Sequence, residues 1–527
     1  MSTPGWLVSL HSPSNHKKLT CVRLLVAAAS GALLSLSYTG YYLSIFAWTS
    51  VALLLLAALS ARPRAAYACG FLHGLFFVLT SLSWIGEVLA LHGGLSKAGG
   101  FALLLLFGTA WGVLSGGFCW CVNRLARQSL GLACVGAPFL WVGWEFARTH
   151  LPEIGFPWNL LGYPASGNLA FLQLTAATGI WGLSLVVAAI NTLLVWVAFA
   201  KSPALRWRAA AFGAATATLV GIYLAGPSYV PRAGASHTAR SMQLNLPETE
   251  GIVPDWFGAY RADMEEIVTL SLARSAATPD LLIWPEAPAP FSFQNAVFAQ
   301  RASSIAVAFA HPFLFGTIEW KQPEEAAGGL TRFAPYNSAL LLDAQGRRAF
   351  SYDKVHLVPF GEYEPFPLIH RVVSSVSSEV GGFRKGTQHN VGQLGDQKFA
   401  AFICYEAIFP GEVREFAKSG ANLFINISND GWFGKSAAAE QHIRMARVRA
   451  VENRRWILRS TNSGITASID PYGRIHSPVG RDVRAAVDLP YDFRTDTTIY
   501  TRFGDWAAWL SVLISAILLL TTFRKAN

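Results

Sequence analysis

Residues 398–410 read KFAAFICYEAIFP: an apolar run ends in a thiol, Cys404, followed by Tyr405 and a carboxylate, Glu406. The run is short and rich in β-formers, so it reads as a buried strand. Chemistry in α/β folds gathers just beyond strand ends, which makes Cys404 a candidate nucleophile. The other five of the six cysteines (Cys21, Cys69, Cys119, Cys121 and Cys134) all lie in the apolar first part of the chain. Cys404 therefore has no disulfide partner within its own polar segment. Taken alone, a buried and inert thiol is the commoner reading. Two further motifs reverse it.

Both repeat the same arrangement. LLIWPEAPAP, 281–290, sets Glu286 just after an apolar run and between prolines. SYDKVHLVPFGEYEPFP, 351–367, carries Lys354 and Glu362 eight residues apart, and Lys354 is set among Tyr352, Val355, Leu357, Val358 and Phe360 rather than among polar neighbours. An isolated loop glutamate or lysine is usually a solvated charge. Three reactive side chains, each beyond a strand-like run, form a Glu–Lys–Cys set.

Around these motifs the segment alternates in type. Strands are expected at 280–284, 313–318, 338–342, 399–403, 422–427, 456–459 and 465–469, and helices at 257–273, 296–310, 411–418 and 437–454. DAQGRR (343–348) and DPYGRI (470–475) read as hairpin turns. The pattern is α/β with antiparallel parts. SNDGWFG, 428–434, places a tight turn of Asn429, Asp430 and Gly431 after a strand, with Trp432 and Phe433 beyond it.

The rest of the chain belongs to a different solvent. Of 527 residues, 52% are hydrophobic and only 14% charged, too apolar for a soluble protein of this length. Eight segments have the length and apolarity of transmembrane helices: 21–38, 43–61, 66–86, 99–121, 130–147, 170–199, 209–228 and 506–523. The first follows Lys17, Lys18 and Arg23 like a signal peptide, but with no clear cleavage site after it; it reads as a retained helix. Three domains follow: 1–231 with seven spans, 232–505 polar, and 506–527 with the last span and a short tail. GPSYVPRAGAS, 226–236, reads as the linker.

Alternate loops carry Lys17, Lys18, Arg23, Arg62, Arg64, Arg124, Arg127, Lys201, Arg206, Arg208, Arg524 and Lys525, whereas the opposite short loops carry only Lys97 and Arg148. The positive-inside rule puts both termini in the cytoplasm and 232–505 outside. The net charge of +10 thus reports topology and gives no support to nucleic-acid binding. An outward domain in a bacterium meets an oxidising compartment, where a lone thiol needs a reason such as catalysis.

The three motifs resemble the nitrilase superfamily, which uses Glu, Lys and Cys on an αββα sandwich. With the membrane helices, nearly the whole chain resembles the bacterial apolipoprotein N-acyltransferase family, through GFPWNLLGY (155–163), LLIWPE, FGT (315–317), YNSALL (336–341), KVHLVPFGEY, ICYE, SNDGWFG, QHIRMARVRAVE (441–452) and STNSGITA (460–467). One departure is Ala165, where that family often has Gln.

The resemblance implies Glu286 as general base, Lys354 as the cation stabilising thiolate and oxyanion, and Cys404 as nucleophile. Glu362, Tyr405 and Glu406 support them, with the Tyr405 N–H as an oxyanion donor. Trp256, Trp432 and Phe433 are candidates for substrate contact, as are Phe257, Phe366 and Phe383; ordinary core packing is an equal reading for each. His73 and Glu87 are weaker candidates within the membrane part. The implied reaction moves an acyl chain from a phospholipid, through a Cys404 thioester, to a diacylglyceryl-modified apolipoprotein, at the periplasmic face of the bacterial inner membrane. Neither a metal nor an organic cofactor is implied. A membrane-tethered carbon–nitrogen hydrolase, with water as acceptor, uses the same three residues and stays open. So does a scaffold without activity, although loss of one of the three would have favoured it. Transport fits less well, because the spans hold few charges.

Overall fold

The computed structural model describes residues 13–39, 41–91, 95–199, 204–247, 256–286, 292–322, 333–363 and 382–524. All seven expected strands form, and the α/β segment folds into two six-stranded mixed sheets. The first has the order β12-β1-β2-β3-β4-β5, with β1 His237–Gln243, β2 Leu281–Ile283, β3 Phe313–Lys321, β4 Ala334–Leu342, β5 Arg348–Asp353 and β12 Ala485–Tyr491. The second has the order β11-β10-β9-β8-β7-β6, with β6 Gly392–Leu394, β7 Gln397–Ile403, β8 Leu423–Ser428, β9 Ile457–Thr461, β10 Thr466–Ile469 and β11 Ile475–Val479. In each sheet the strands that lead to the motifs pair in parallel, β1 with β2 and β7 with β8. Both expected hairpins form, β4–β5 and β10–β11.

Strand alternation sorts the core into layers. Leu281, Ile283, Leu314 and Leu341 share a buried cluster with Phe399, Ile425 and Leu458 of the other sheet. Their neighbours Leu282, Phe313, Phe315, Leu340 and Leu342 pack instead with Met264, Ile267, Phe298 and Ile305. Those last four lie on Arg261–Leu272 and Ala296–Phe309, the helical layer outside the first sheet. Outside the second sheet lie Pro410–Lys418 and Ala438–Asn453. The result is four layers, helix–sheet–sheet–helix.

Helix Ala438–Asn453 is buried along nearly its whole length. Ile443, Ala446 and Ala450 face the sheet core, while Met445, Val448 and Val451 join the core of the membrane helices. Its outer face is thus the seat on the membrane part.

That part contains Pro13–Leu36, Pro63–Ser81, Lys97–Gln128, Leu130–Thr149, Ile180–Ala198 and Ala204–Ala225. Among the described residues, five helices are long and apolar enough to cross a membrane, or six if a bent pair counts as one. The eight expected segments are all helical, but four differ from simple spans. Segment 66–86 bends by 52° between Pro63–Ser81 and Ser83–Leu91. Segment 43–61 begins as the 3-10 helix Tyr41–Trp48, so its α-helix is only Ser50–Leu59. Segment 170–199 is broken at Gly179 (φ 63°), and the long helix starts at Ile180. The last apolar helix, Trp506–Thr522, is also shorter than the five. Glycines let the helices approach closely: a Cβ on Gly31 would lie 2.2 Å from the His73 carbonyl oxygen, and one on Gly70 2.2 Å from that of Ser115.

Candidate active site

Glu286, Lys354 and Cys404 lie beyond the ends of β2, β5 and β7, and the sandwich brings them together. Lys354 Nζ is 3.3 Å from Glu286 Oε1 and 2.9 Å from Glu362 Oε1. Asn337, on β4, donates from one nitrogen to both carboxylates, at 2.7 Å to Glu286 and 2.8 Å to Glu362. The second oxygen of Glu286 accepts from the Asn429 N–H at 2.8 Å, and that of Glu362 from the Val358 N–H at 2.7 Å. Each carboxylate therefore has its orientation fixed through both oxygens.

Cys404 is buried and coupled to the same charges. Burial first, then the Glu286 carboxylate, pushes its thiol far above the ordinary range, while Lys354 pulls the other way. Burial also works against the Lys354 ammonium, but Glu286, Glu362 and Cys404 together hold its pKa above the usual value. Burial and Glu286 thus favour the neutral form of the thiol, and the groups around Lys354 favour its ammonium form. Cys404 itself has φ 48°, in the left-handed region that residues other than glycine rarely adopt.

Glu406 locks the Cys404 loop to the Lys354 loop. One oxygen accepts from the Ile403 N–H at 2.7 Å. The other accepts from Tyr352 Oη at 2.6 Å, the Val355 N–H at 2.7 Å and the His356 N–H at 3.1 Å. Tyr405 packs on Phe409 and on Phe156 of the 155–163 loop.

That loop forms an aromatic wall on the membrane side. Trp158 stacks on Phe156 and packs against Trp84, Phe433 and His442. Phe433 therefore sits at the junction of the two parts, whereas Trp432 beside it is exposed. Trp256 begins the short helix Trp256–Ala259; its side chain and that of Phe257 lie outside the described structure, as does Phe366. Phe383 is half-buried, its N–H on the Glu362 carbonyl at 3.1 Å. His73 is buried against Ser30 at 2.8 Å and Glu87 is exposed, neither with a described hydrogen bond to the three residues. Ala165 is buried in a 3-10 turn.

Sequence reasoning missed Asn337, which lies mid-strand, and a buried network behind Cys404. Arg459 Nη2 is 2.6 Å from Asp430 Oδ2, and His442 Nδ1 is 2.9 Å from Asp430 Oδ1. The thiol, Asp430 and His442 lie within 4.8 Å of one another, a spacing that metal ligands share. Here, however, both imidazole nitrogens face partners, and the Arg459 guanidinium already neutralises Asp430. A hydrogen-bonded network accounts for the cluster.

The Carbon-nitrogen hydrolase family model matches residues 238–490, the stretch that holds both sheets and all three residues. A second model, Apolipoprotein N-acyltransferase N-terminal domain, matches residues 30–193. The chain is 32% identical to an apolipoprotein N-acyltransferase of Geobacter metallireducens, over 95% of this chain and 96% of that protein. It is 30% identical to one of Allorhizobium ampelinum, over 94% and 95%. A solved structure of an amidase from Nesterenkonia sp. aligns at 19% identity with a TM-score of 0.35, over 52% of this chain and 95% of that one. The chain belongs to the apolipoprotein N-acyltransferase family and is an acyltransferase.

Proposed function

We propose that this enzyme transfers an acyl chain from a membrane phospholipid to the α-amino group of a diacylglyceryl-cysteine at the N-terminus of an apolipoprotein. The observation that carries the reading is the placement of the Lys354 ammonium 3.3 Å from Glu286 and 2.9 Å from Glu362, coupled to the Cys404 thiol.

Glu286 takes the Cys404 proton as Sγ attacks the ester carbonyl. This transfer moves no net charge into or out of the buried site. It also removes the anion that opposes thiolate formation. The oxyanion that develops on the former carbonyl oxygen is stabilised by Lys354 and the Tyr405 N–H. Collapse breaks the C–O ester bond, and the leaving alkoxide takes the proton from Glu286, releasing lysophospholipid. The neutral amine then attacks the thioester and gives a proton to Glu286. The C–S bond breaks, the thiolate recovers that proton, and an amide remains. The kinetics are ping-pong. Glu362 keeps Lys354 charged and Glu406 holds the two loops in register. Phe433 and Trp432, with Trp256, contact the lipid substrates.

In this reading 1–231 and 506–527 are the membrane domains and 232–505 is a periplasmic catalytic domain on the inner membrane. The bundle supports that orientation. Arg124 bonds Thr522 at 2.7 Å, Gln128 bonds the Thr521 carbonyl at 3.2 Å, and Arg23 bonds Ser60 at 3.0 Å. The basic helix ends therefore gather at one end, while Trp181 bonds Asp505 at 2.6 Å beside the catalytic part at the other.

The test is mass spectrometry of a diacylated lipopeptide incubated with purified protein and phospholipid, beside Cys404→Ser. One added acyl chain on the peptide amine, absent with the variant, is expected. Free fatty acid with unchanged peptide would mean a hydrolase instead.

A further inference from the structure

We infer that His442, backed by Asp430 and Arg459, is a positioning residue that aims the oxyanion-binding peptide between Cys404 and Tyr405. The inference rests on the acyl-transfer reading above. His442 Nε2 lies 3.0 Å from the Cys404 carbonyl oxygen. A carbonyl can only accept, so Nε2 carries a hydrogen and donates it. The carbonyl of Cys404 and the N–H of Tyr405 belong to one planar trans peptide, in which they point in opposite directions. Holding the oxygen on the His442 side therefore directs the N–H to the opposite side of the same plane. That is how a side chain which never meets the substrate can set the direction of an oxyanion donor.

The need for such a hold is visible in the backbone. Cys404 has φ 48°, a conformation that is strained for a residue with a Cβ and persists only where its surroundings enforce it. The grip on His442 is itself deep. Asp430 takes the Ser428 hydroxyl at 2.7 Å and Arg459 at 2.6 Å, and Arg459 also bonds Asn426. His442, Asp430, Arg459, Ser428 and Asn426 are all fully or almost fully buried. The imidazole is packed between Trp158 and Phe433, with ring centroids 5.8 and 5.9 Å away. No general-base role is required of it: Glu286 already serves the thiol in the reading above, Nε2 is committed to the carbonyl and Nδ1 faces Asp430.

The experiment compares two reactions of Cys404 in full-length protein. Acyl transfer needs the oxyanion donor, whereas alkylation by iodoacetamide is a displacement at carbon and does not. In His442→Ala, kcat for transfer is expected to fall about 10²-fold with KM within threefold, while the alkylation rate and its pH profile stay within about threefold of the parent. Unchanged transfer would overturn the inference. If both reactions fall, His442→Gln decides, because its amide N–H can reach the same carbonyl. Recovery of at least tenfold in kcat supports positioning, and no recovery overturns it. Parent protein that alkylates normally yet transfers no acyl chain would refute the functional reading rather than this one.

Discussion

Trp158 Nε1 donates to Gln441 Oε1 at 2.6 Å, joining the membrane loop 155–163 to the helix that carries His442. Trp158 is fully buried, so the bond is shielded from water. Arg148 anchors the loop from below through the carbonyls of Phe156 at 2.9 Å and Trp158 at 3.2 Å. Trp158→Ala removes both the packing and the bond. It should cost about 3–5 kcal/mol of stability, read as a lower thermal midpoint in detergent. Trp158→Phe keeps most of the packing but leaves Gln441 without its donor, and should cost about 1–3 kcal/mol. An alanine variant as stable as the parent would refute this docking role.

The charges around Cys404 give opposite expectations for two substitutions. Glu286 raises the thiol pKa and Lys354 lowers it. In Glu286→Gln the opposing anion is gone, so the pKa falls and alkylation speeds up at a fixed pH near 8. Acyl transfer nevertheless drops by at least about 10²-fold, because the carboxylate proposed to take the thiol proton is lost. In Lys354→Met the stabilising cation is gone, so the alkylation profile moves to higher pH and transfer is lost as well. Rates of iodoacetamide modification from pH 6 to 10 read both directions.

Much of this arrangement was legible in the sequence, because Glu286 and Cys404 each follow an expected strand of β-formers and Lys354 follows the second strand of an expected hairpin. Cys404 directly follows β7 and Lys354 directly follows β5. The strands not foreseen have physical reasons. β6 is three residues long and sits at a sheet edge. β12 is an edge strand carrying Pro490, tolerated there because an edge need not donate every N–H. β1 is central but reads HTARSMQ, its polarity explained only by partners such as Asp488 on β12, 2.9 Å from Arg240. Asn337 and His442 were illegible for another reason. Neither carries a local signal, since one is mid-strand and the other lies in a regular helix, and only the packing of distant segments brings them to the site.

Asn337 shows how much such a residue controls. Its single amide nitrogen separates two carboxylates that would otherwise repel across the Lys354 ammonium. Asn337→Asp replaces that donor with a third acidic group. Glu286 and Glu362 then lose a hydrogen bond and gain a like charge, and kcat should fall at least about 10²-fold as their geometry relaxes. Asn337→Ala, which loses the donor without adding charge, should lie between this variant and the parent. Steady-state acyl transfer measures the order of the three; equal loss in both variants would exclude the charge argument.

Gly464 faces the network from the β9–β10 turn. A Cβ there would lie 2.3 Å from Asp430 Oδ2 and 2.7 Å from Asp430 Cβ, closer than real contacts allow. Asp430 has little freedom to yield, because Arg459, Ser428 and His442 hold its oxygens from other directions. Gly464→Ala should therefore displace the carboxylate and cost about 1–3 kcal/mol of stability. Because the displaced group supports His442 through a hydrogen bond, kcat should also fall, and by more than in Trp158→Phe, which keeps an aromatic ring against the imidazole and removes only the bond to Gln441. Adding Asp430→Asn to Gly464→Ala tests the route: with the carboxylate already replaced, the glycine substitution should have less further effect on kcat than it has alone. Equal effects in the two backgrounds would show that the glycine acts through something other than Asp430.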